Sequence, residues 1–527
     1  MSHPSVVTLQ RDSRPRVLFS GDRLVEVDLP AGTRVIYPKP PIEPLKDPAA
    51  AIRYALSHPL GTEPLYAKLR PGMKVTLAVD DISLPLPPMK RPDARAQVLE
   101  VVLELLADHG VDDIEIIIAT GIHRRMKAAE VRHMVGDRVF ERYWPDRLYN
   151  HDAEDRDNLT VLGTTELGEV VEINRRAAES ELVIYVNLNF VPMNGGHKSL
   201  MCGLASYRSL SHHHNPETIR ACDSYMDPKK SELATRLWRM GRLCNQKLNV
   251  FTIETTINNR MFERPLEFLT KNEDELDGRE RALLAGLVAT TKRLPQAARQ
   301  AIFEKFPAPY GVTGVWAGET EAVHEKTLER CFEQYCVPVE GQSDVVVFPI
   351  PYISPYNVHA FLNPLLVSVL AQGYLFNMNR GVPLLKKGGT IVLLHPCSDK
   401  FDHEQHAPYI DFVHRLLPET RDAVELHKRY ERKFASDPAF IQMFRTGHAY
   451  HPAHPFYMWY WGENGRQHAG RVIVVGADNE YIPRLMGWET APSMDEALYR
   501  ARNGEARTLS VSCLRVPPIV MTDVSLK

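Results

Sequence analysis

The feature that most constrains the fold is a strand, a helix and a second strand in immediate succession. Residues 74–79 (KVTLAV) are a short apolar run rich in β-branched residues. Residues 92–109 place Val98, Val102, Leu105 and Leu106 at helical spacing, and Gly110 supplies a C-cap. Residues 113–119 (DIEIIIA) read as a second buried strand. A helix between two such strands is a crossover, and crossovers join parallel strands. A parallel sheet covered by helices, an α/β fold, is therefore expected.

Later runs extend the pattern. LVIYV (182–186), NVFTIETTI (249–257), DVVVF (344–348), GTIVLL (389–394) and RVIVV (471–475) alternate with helix-like stretches. The chain has 527 residues, and at roughly 150 residues per domain several domains are allowed. We expect two α/β domains with largely parallel sheets and an interdomain active-site cleft. The N-terminal domain would span 1–330, with an insertion near 260–310, and the C-terminal domain 331–527. The boundary is expected near 325–342, where QYCVPVEGQSD reads as a linker.

Composition narrows the function. A net charge of −3 leaves no electrostatic footprint for nucleic acid. No stretch approaches the roughly 20 apolar residues of a membrane span. The 7 cysteines are scattered, with no CxxC pair, which excludes zinc-ribbon and thioredoxin motifs and argues against a disulfide framework. The N-terminus lacks the apolar core of a signal peptide. These features fit a cytoplasmic enzyme acting on a small molecule, without nucleic-acid or membrane partners. They are compatible with an oligomer.

In an open parallel sheet, ligands bind beyond the carboxyl ends of the strands. That rule selects three loops. The first holds Asp80, Asp81, Ser83 and Leu84, and the second holds Thr120, Gly121 and His123. The third runs from Asn187 and Asn189 to Gly195-Gly196-His197-Lys198. It is a poor Walker A loop, because His197 interrupts the Gly–Lys step and position 191 is valine. Its glycines would let a ligand approach the backbone, and a lysine in a dry pocket can form covalent adducts. Of the three consecutive histidines at 212–214, at most one or two could share a metal. HEQH at 403–406 has the wrong spacing for a zincin.

These loops, in this order, resemble the lactate racemase family, whose members use a nickel-pincer nucleotide. The resemblance rests on ATGIHR (119–124), NHDAED (150–155), LGTTELGEVVEIN (162–174) and above all GGHKSLMCGLA (195–205). Weaker similarity continues through GVWAGETEAVH (314–324). The resemblance implies a pyridinium-3,5-bisthiocarboxylic acid mononucleotide carrying nickel, made by cofactor-synthesis enzymes and joined by a thioamide to the lysine that matches Lys198. The nickel-ligating histidine matches His214 and a catalytic histidine matches His123. Asp81, Ser83, Thr120, Gly195 and Gly196 would surround the cofactor. The implied activity is racemisation or epimerisation. A base takes the substrate hydroxyl proton while hydride passes reversibly to the cofactor.

The departures bear on substrate. Leu84 stands where the family places an arginine that helps hold a substrate carboxylate, and leucine cannot make that contact. The second catalytic histidine, expected shortly before the tethering lysine, is absent, and Asn187, Leu188 and Asn189 occupy the region. A lysine of the second domain is replaced around Asn363. Asn187 and Asn189 are therefore expected in the catalytic site, where they would bind hydroxyl groups. A polyhydroxylated or sugar-like substrate is favoured over a simple 2-hydroxy acid, with PFYMWYW (455–461) available to stack on it. A replacement base is sought among His197, His213, His359 and His395. Two further functions stay open: a redox enzyme using the same cofactor and releasing a carbonyl product, and an inactive nucleotide- or metabolite-binding homologue.

Overall fold

The structure is a computed structural model and describes residues 3–504 and 508–526. The expected α/β architecture is present as two large sheets, with 6 and 7 strands. The first sheet is ordered Val312–Gly318, Val250–Ile257, Leu182–Asn189, Val75–Asp80, Ile114–Ala119, Leu148–Asn150. Every neighbouring pair is parallel except the edge strand Val312–Gly318. The central strands are apolar and buried almost throughout, as strands covered on both faces must be. The helix Ala94–Asp108 supplies the first crossover. Asp93 caps it by accepting from Arg95 N, and Val98, Val102 and Leu106 are fully buried.

The second sheet is ordered Val6–Thr8, Arg34–Ile36, Val511–Leu514, Ser343–Pro349, Leu385–Leu394, Arg471–Val475, Glu489–Ala491. It too is parallel, apart from the pairing of Val6–Thr8 with Arg34–Ile36. The N-terminal strands thus lie in the C-terminal sheet, so a division of the chain near residue 330 would cut the second sheet in two.

The expected linker is not one. QYCVPVEGQSD contains the end of the helix Thr320–Tyr335 and the strand Cys336–Glu340, which pairs in parallel with Met521–Ser525. Cys336, Val337 and Val339 are buried and Pro338 is exposed, an alternation that the proline masks in the sequence. Residues 264–305 fold as two short 3-10 segments and the helices Gly278–Arg293 and Gln296–Lys305.

Each sheet has a point where the chain, after adding strands to one side, returns to the other. In the first sheet it lies between Val75–Asp80 and Leu182–Asn189, and in the second between Ser343–Pro349 and Val511–Leu514. Such switch points open a crevice at the carboxyl ends of the strands. The two halves share one apolar cluster, which includes Ile117, Val183 and Tyr185 from the first sheet and Leu393, Trp459 and Val474 from the second half.

Gly121, in the loop after Ile114–Ala119, sits at φ +53°, and a Cβ there would lie 2.1 Å from the carbonyl oxygen of Cys202. Gly168, at φ +84°, has nothing within 4 Å of that position. Gly121→Ala is expected to lower the thermal midpoint by about 3 °C or more, and Gly168→Ala by less, because only the first adds a collision to backbone strain.

Candidate active site

The loops from both switch points line one cavity of about 220 Å³. The first sheet contributes residues on the loops after Val75–Asp80, Ile114–Ala119 and Leu182–Asn189, and the second contributes Pro351 to Tyr356 and Val516 to Val520.

Asp81 and His123 meet at its edge. His123 Nδ1 donates to Asp81 Oδ2 at 2.7 Å, and Ser83 N donates to Asp81 Oδ1 at 3.0 Å. Burial alone would raise the Asp81 carboxyl, but His123 and the Ser83 donors hold it below the usual carboxylate range. With Nδ1–H committed to Asp81, the neutral imidazole presents Nε2 as an acceptor. Arg95 fixes this loop. Its guanidinium, buried and paired with Asp93, also donates to the carbonyl oxygens of Asp81 and Leu84. Leu84 lines the cavity, and so does Thr120, whose hydroxyl donates to His151 O.

The two asparagines belong to a buried chain of hydrogen bonds. Asn189 Nδ2 donates to Glu254 Oε2 at 2.6 Å and to Thr327 Oγ1 at 2.9 Å. Asn187 Nδ2 donates to Asn189 Oδ1 at 2.9 Å. That leaves the Asn187 amide oxygen 2.6 Å from Asp80 Oδ2, and two oxygens so close need a proton between them. Turning the Asn187 amide would set its oxygen against Asn189 Oδ1, whose own nitrogen is already committed. In the first orientation the proton belongs on Asp80, whose carboxyl burial pushes up to about 7. Asn189 does not line the cavity, and Asn187, which does, has both amide atoms bound within the protein. Asn187 is thus placed at the cavity and Asn189 behind it, and the two asparagines bridge two buried carboxyl groups, Asp80 and Glu254.

Glu254 also explains the paired glycines. Gly196 N donates to its Oε1 at 2.7 Å. A Cβ on Gly195 would lie 2.6 Å from the same oxygen, and one on Gly196 2.8 Å from the His324 ring. Both residues have positive φ, and the protein itself, more than any ligand, requires glycine there.

The turn launches the helix His197–Gly203, which carries Lys198 into the cavity. Lys198 Nζ donates only weakly, to Asn194 Oδ1 at 3.3 Å. Burial pushes this amine below the ordinary lysine range, although Cys202, Asp80 and Asp81 oppose the shift. His214 lines the same cavity. Its tautomer follows from its partners. His213 Nε2 donates to Met201 O at 3.3 Å, so His213 Nδ1 accepts, and His214 Nδ1 donates to it at 2.7 Å. Burial holds both rings neutral, His213 down to about 3. His214 Nε2 is then left with a free lone pair, the arrangement of a metal-ligating histidine oriented from behind. Ligand atoms of Cys202, His213 and His214 all lie within 4.8 Å of one another.

The far wall is aromatic and aliphatic, with Tyr356, Tyr374, Tyr457, Met458 and Trp461 among its residues. Among the described residues no arginine lines the cavity. None of the four histidines considered as replacement bases lines it either. His197 pairs with Glu321, His213 stands behind His214, His359 lies near Glu130, and His395 accepts from Cys397 N. Asn363 caps the helix Pro364–Ser368 and is not a site residue. The histidine that does line the far wall is His454, hidden in the sequence by the aromatic run that follows it.

Residues 20–225 match the model of the lactate racemase N-terminal domain. Over that stretch the chain is similar to lactate racemases. It is 25% identical over 173 residues to a lactate racemase of Thermoanaerobacterium thermosaccharolyticum, and 25% identical over 175 residues to one of Lactiplantibacillus plantarum. Each match covers 32% of this chain, and the matched segments span only 38% and 39% of those relatives. The fold agreement is wider. The lactate racemase apoprotein structure from T. thermosaccharolyticum superposes with a TM-score of 0.59 at 18% identity, covering 96% of this chain and 99% of that one. The family match therefore takes in the first three cavity loops, from Asp80 to His214, and the fold match extends to the far wall. No helix among the described residues is long and apolar enough to cross a membrane.

The shared proton on Asp80 has a consequence for pH. With its folded pKa raised to about 7, above the unfolded value of about 3.9, the folded protein binds the extra proton between those limits. Its contribution is fully present below the unfolded pKa and is lost as pH rises through about 7. Asp80→Asn keeps a donor toward Asn187 and cannot ionise. Its thermal midpoint relative to wild type should therefore rise between pH 5 and pH 8; a constant difference would place the proton elsewhere.

Proposed function

We propose that this homologue is an isomerase that inverts a hydroxyl-bearing carbon, using a nickel-pincer nucleotide joined to Lys198 and ligated by His214. One observation carries the reading: a desolvated amine, a buried imidazole with a free Nε2, and an Asp–His pair face one cavity. The residues fit the group. The lowered amine favours the neutral form that enters covalent linkage, and the His213 relay directs the His214 lone pair outward. When bound, the nickel-pincer nucleotide supplies a reversible hydride acceptor. The chain supplies the rest. His123 Nε2 takes the substrate hydroxyl proton and returns it, Asp81 stabilises the imidazolium so formed, and the apolar wall excludes water.

The wall also restricts substrate. Leu84 offers a carboxylate no partner, and the site's asparagines are engaged elsewhere. Aromatic faces from Tyr356, Tyr374, Tyr457 and Trp461 suit a neutral hydroxylated ring better than a small hydroxy acid. That keeps a sugar-like ring in range, recognised by stacking.

Coexpression with the cofactor-synthesis enzymes tests the reading. Wild type should gain the mass of the nucleotide adduct and bind nickel, and Lys198→Ala should lose the adduct. An unmodified wild-type mass with no nickel sinks the proposal. His123→Ala should keep the adduct and lose about 100-fold or more in kcat on any hydroxylated compound that wild type inverts.

A further inference from the structure

The helix His454–Trp461 brings a second imidazole to the cavity wall. His454 Nδ1 lies 2.5 Å from the hydroxyl of Tyr409, which is buried and has no other hydrogen-bond partner among the described residues. A buried hydroxyl donates where an acceptor is available. Tyr409 therefore donates to Nδ1, and the neutral ring carries its proton on Nε2. Burial, reinforced by the neighbouring histidines, holds the ring neutral. The Nε2–H is buried without a partner, and a buried donor left unmade costs stability unless a ligand completes it. The Tyr356 and Tyr450 rings pack against His454, with centroids 4.8 and 4.6 Å away, and fix its orientation.

His123 stands beside it, with ring centroids 5.4 Å apart and planes at 81°. The two rings have opposite polarity. His123 spends its N–H on Asp81 and presents an acceptor, whereas His454 accepts from Tyr409 and presents a donor. An acceptor and a donor at that separation suit one oxygen. A hydroxyl oxygen can give its proton toward His123 while receiving a hydrogen bond from His454, and a carbonyl oxygen can keep the second bond.

We propose that His454 Nε2–H binds the reacting oxygen of the substrate, with Tyr409 as the positioning residue that sets its tautomer. This rests on the isomerase reading above for the identity of that oxygen. His454 gives up no proton in this role. It polarises a neutral hydroxyl or carbonyl compound without requiring a carboxylate, which suits a site whose first loop carries Leu84.

The test uses the full chain labelled with 15N-histidine, and 2-hydroxyacetophenone, a flat neutral hydroxyketone, as probe. Near neutral pH one histidine should show a protonated Nε2 and a bare Nδ1, assigned by its loss in His454→Phe. Tyr409→Phe should let the tautomers mix. The probe should shift that Nε2–H resonance. His454→Phe should weaken probe binding about tenfold, and His454→Gln, whose amide can donate there, by less than about threefold. A bare Nε2, a resonance that the probe leaves unmoved, or equal binding by His454→Phe overturns the proposal. A shifted resonance in a protein that never acquires the adduct would instead sink the isomerase reading and leave the oxygen site standing.

Discussion

A carboxylate with no access to water must find its hydrogen bonds inside the protein. Glu254 is such a group. It is fully buried, and it collects donors from Gly196 N, Asn189, Thr327 and His324. Burial alone would raise its pKa, but His324 and the hydrogen bonds keep it below the ordinary value. Because one donor is backbone, the charge fixes the Gly195–Gly196 turn. That turn sets where the helix His197–Gly203 begins, and hence where Lys198 enters the cavity. Because another donor is Asn189, the same charge orients the amide chain that ends at Asp80. Thr327 and His324 belong to Thr320–Tyr335, so the helix that leads from the first sheet toward the second is tied to the same point.

The location of the cavity follows from topology. Two parallel sheets each reverse their direction of growth once, and the loops at the two reversals meet. Each half supplies what the other lacks. The first carries the polar groups: Asp80, Asp81, His123, Lys198 and His214. The second carries the aromatic wall and His454. Neither loop set alone encloses a site. On the proposed reading, this division puts proton transfer and cofactor attachment on the N-terminal part that matches in sequence, and selection among substrates on the part that matches in fold.

Much of this was legible in the sequence. The crossover unit predicted the parallel sheet, and the carboxyl-end rule picked the loops that line the cavity. What escaped has physical causes. The strand Cys336–Glu340 looked like a linker because proline and glycine dominate its appearance, while its alternation of buried and exposed residues emerges only on pairing. Asn187 and Asn189 looked like hydroxyl binders because their type suits that task. Their use as a bridge depends on Glu254, a strand residue more than 60 positions away whose burial no local pattern announces. The search for a replacement base stayed with loop histidines. His454 opens a helix inside an apolar run, where a histidine reads as packing, and only the meeting of the two sheets sets it beside His123.

The charge state of the assembled cavity sharpens the substrate reading. Burial raises the Asp80 carboxyl to about 7, His214 and His454 are neutral, and Lys198 is pushed toward its neutral form. Asp81 keeps its charge but shares it with His123 through a hydrogen bond. The charged groups are thus few, and the remaining wall is apolar. A carboxylate entering such a site would shed its hydration without gaining a guanidinium, a cost that hydrogen bonds from neutral groups offset only in part. A neutral hydroxylated molecule meets a smaller desolvation cost, and a lone pair of its reacting oxygen and its hydroxyl proton can be matched by the His454 donor and the His123 acceptor. On the proposed reading, a cavity lined by Leu84 and, among the described residues, by no arginine recognises its substrate less through a charge at its end than through the oxygen at its reacting carbon.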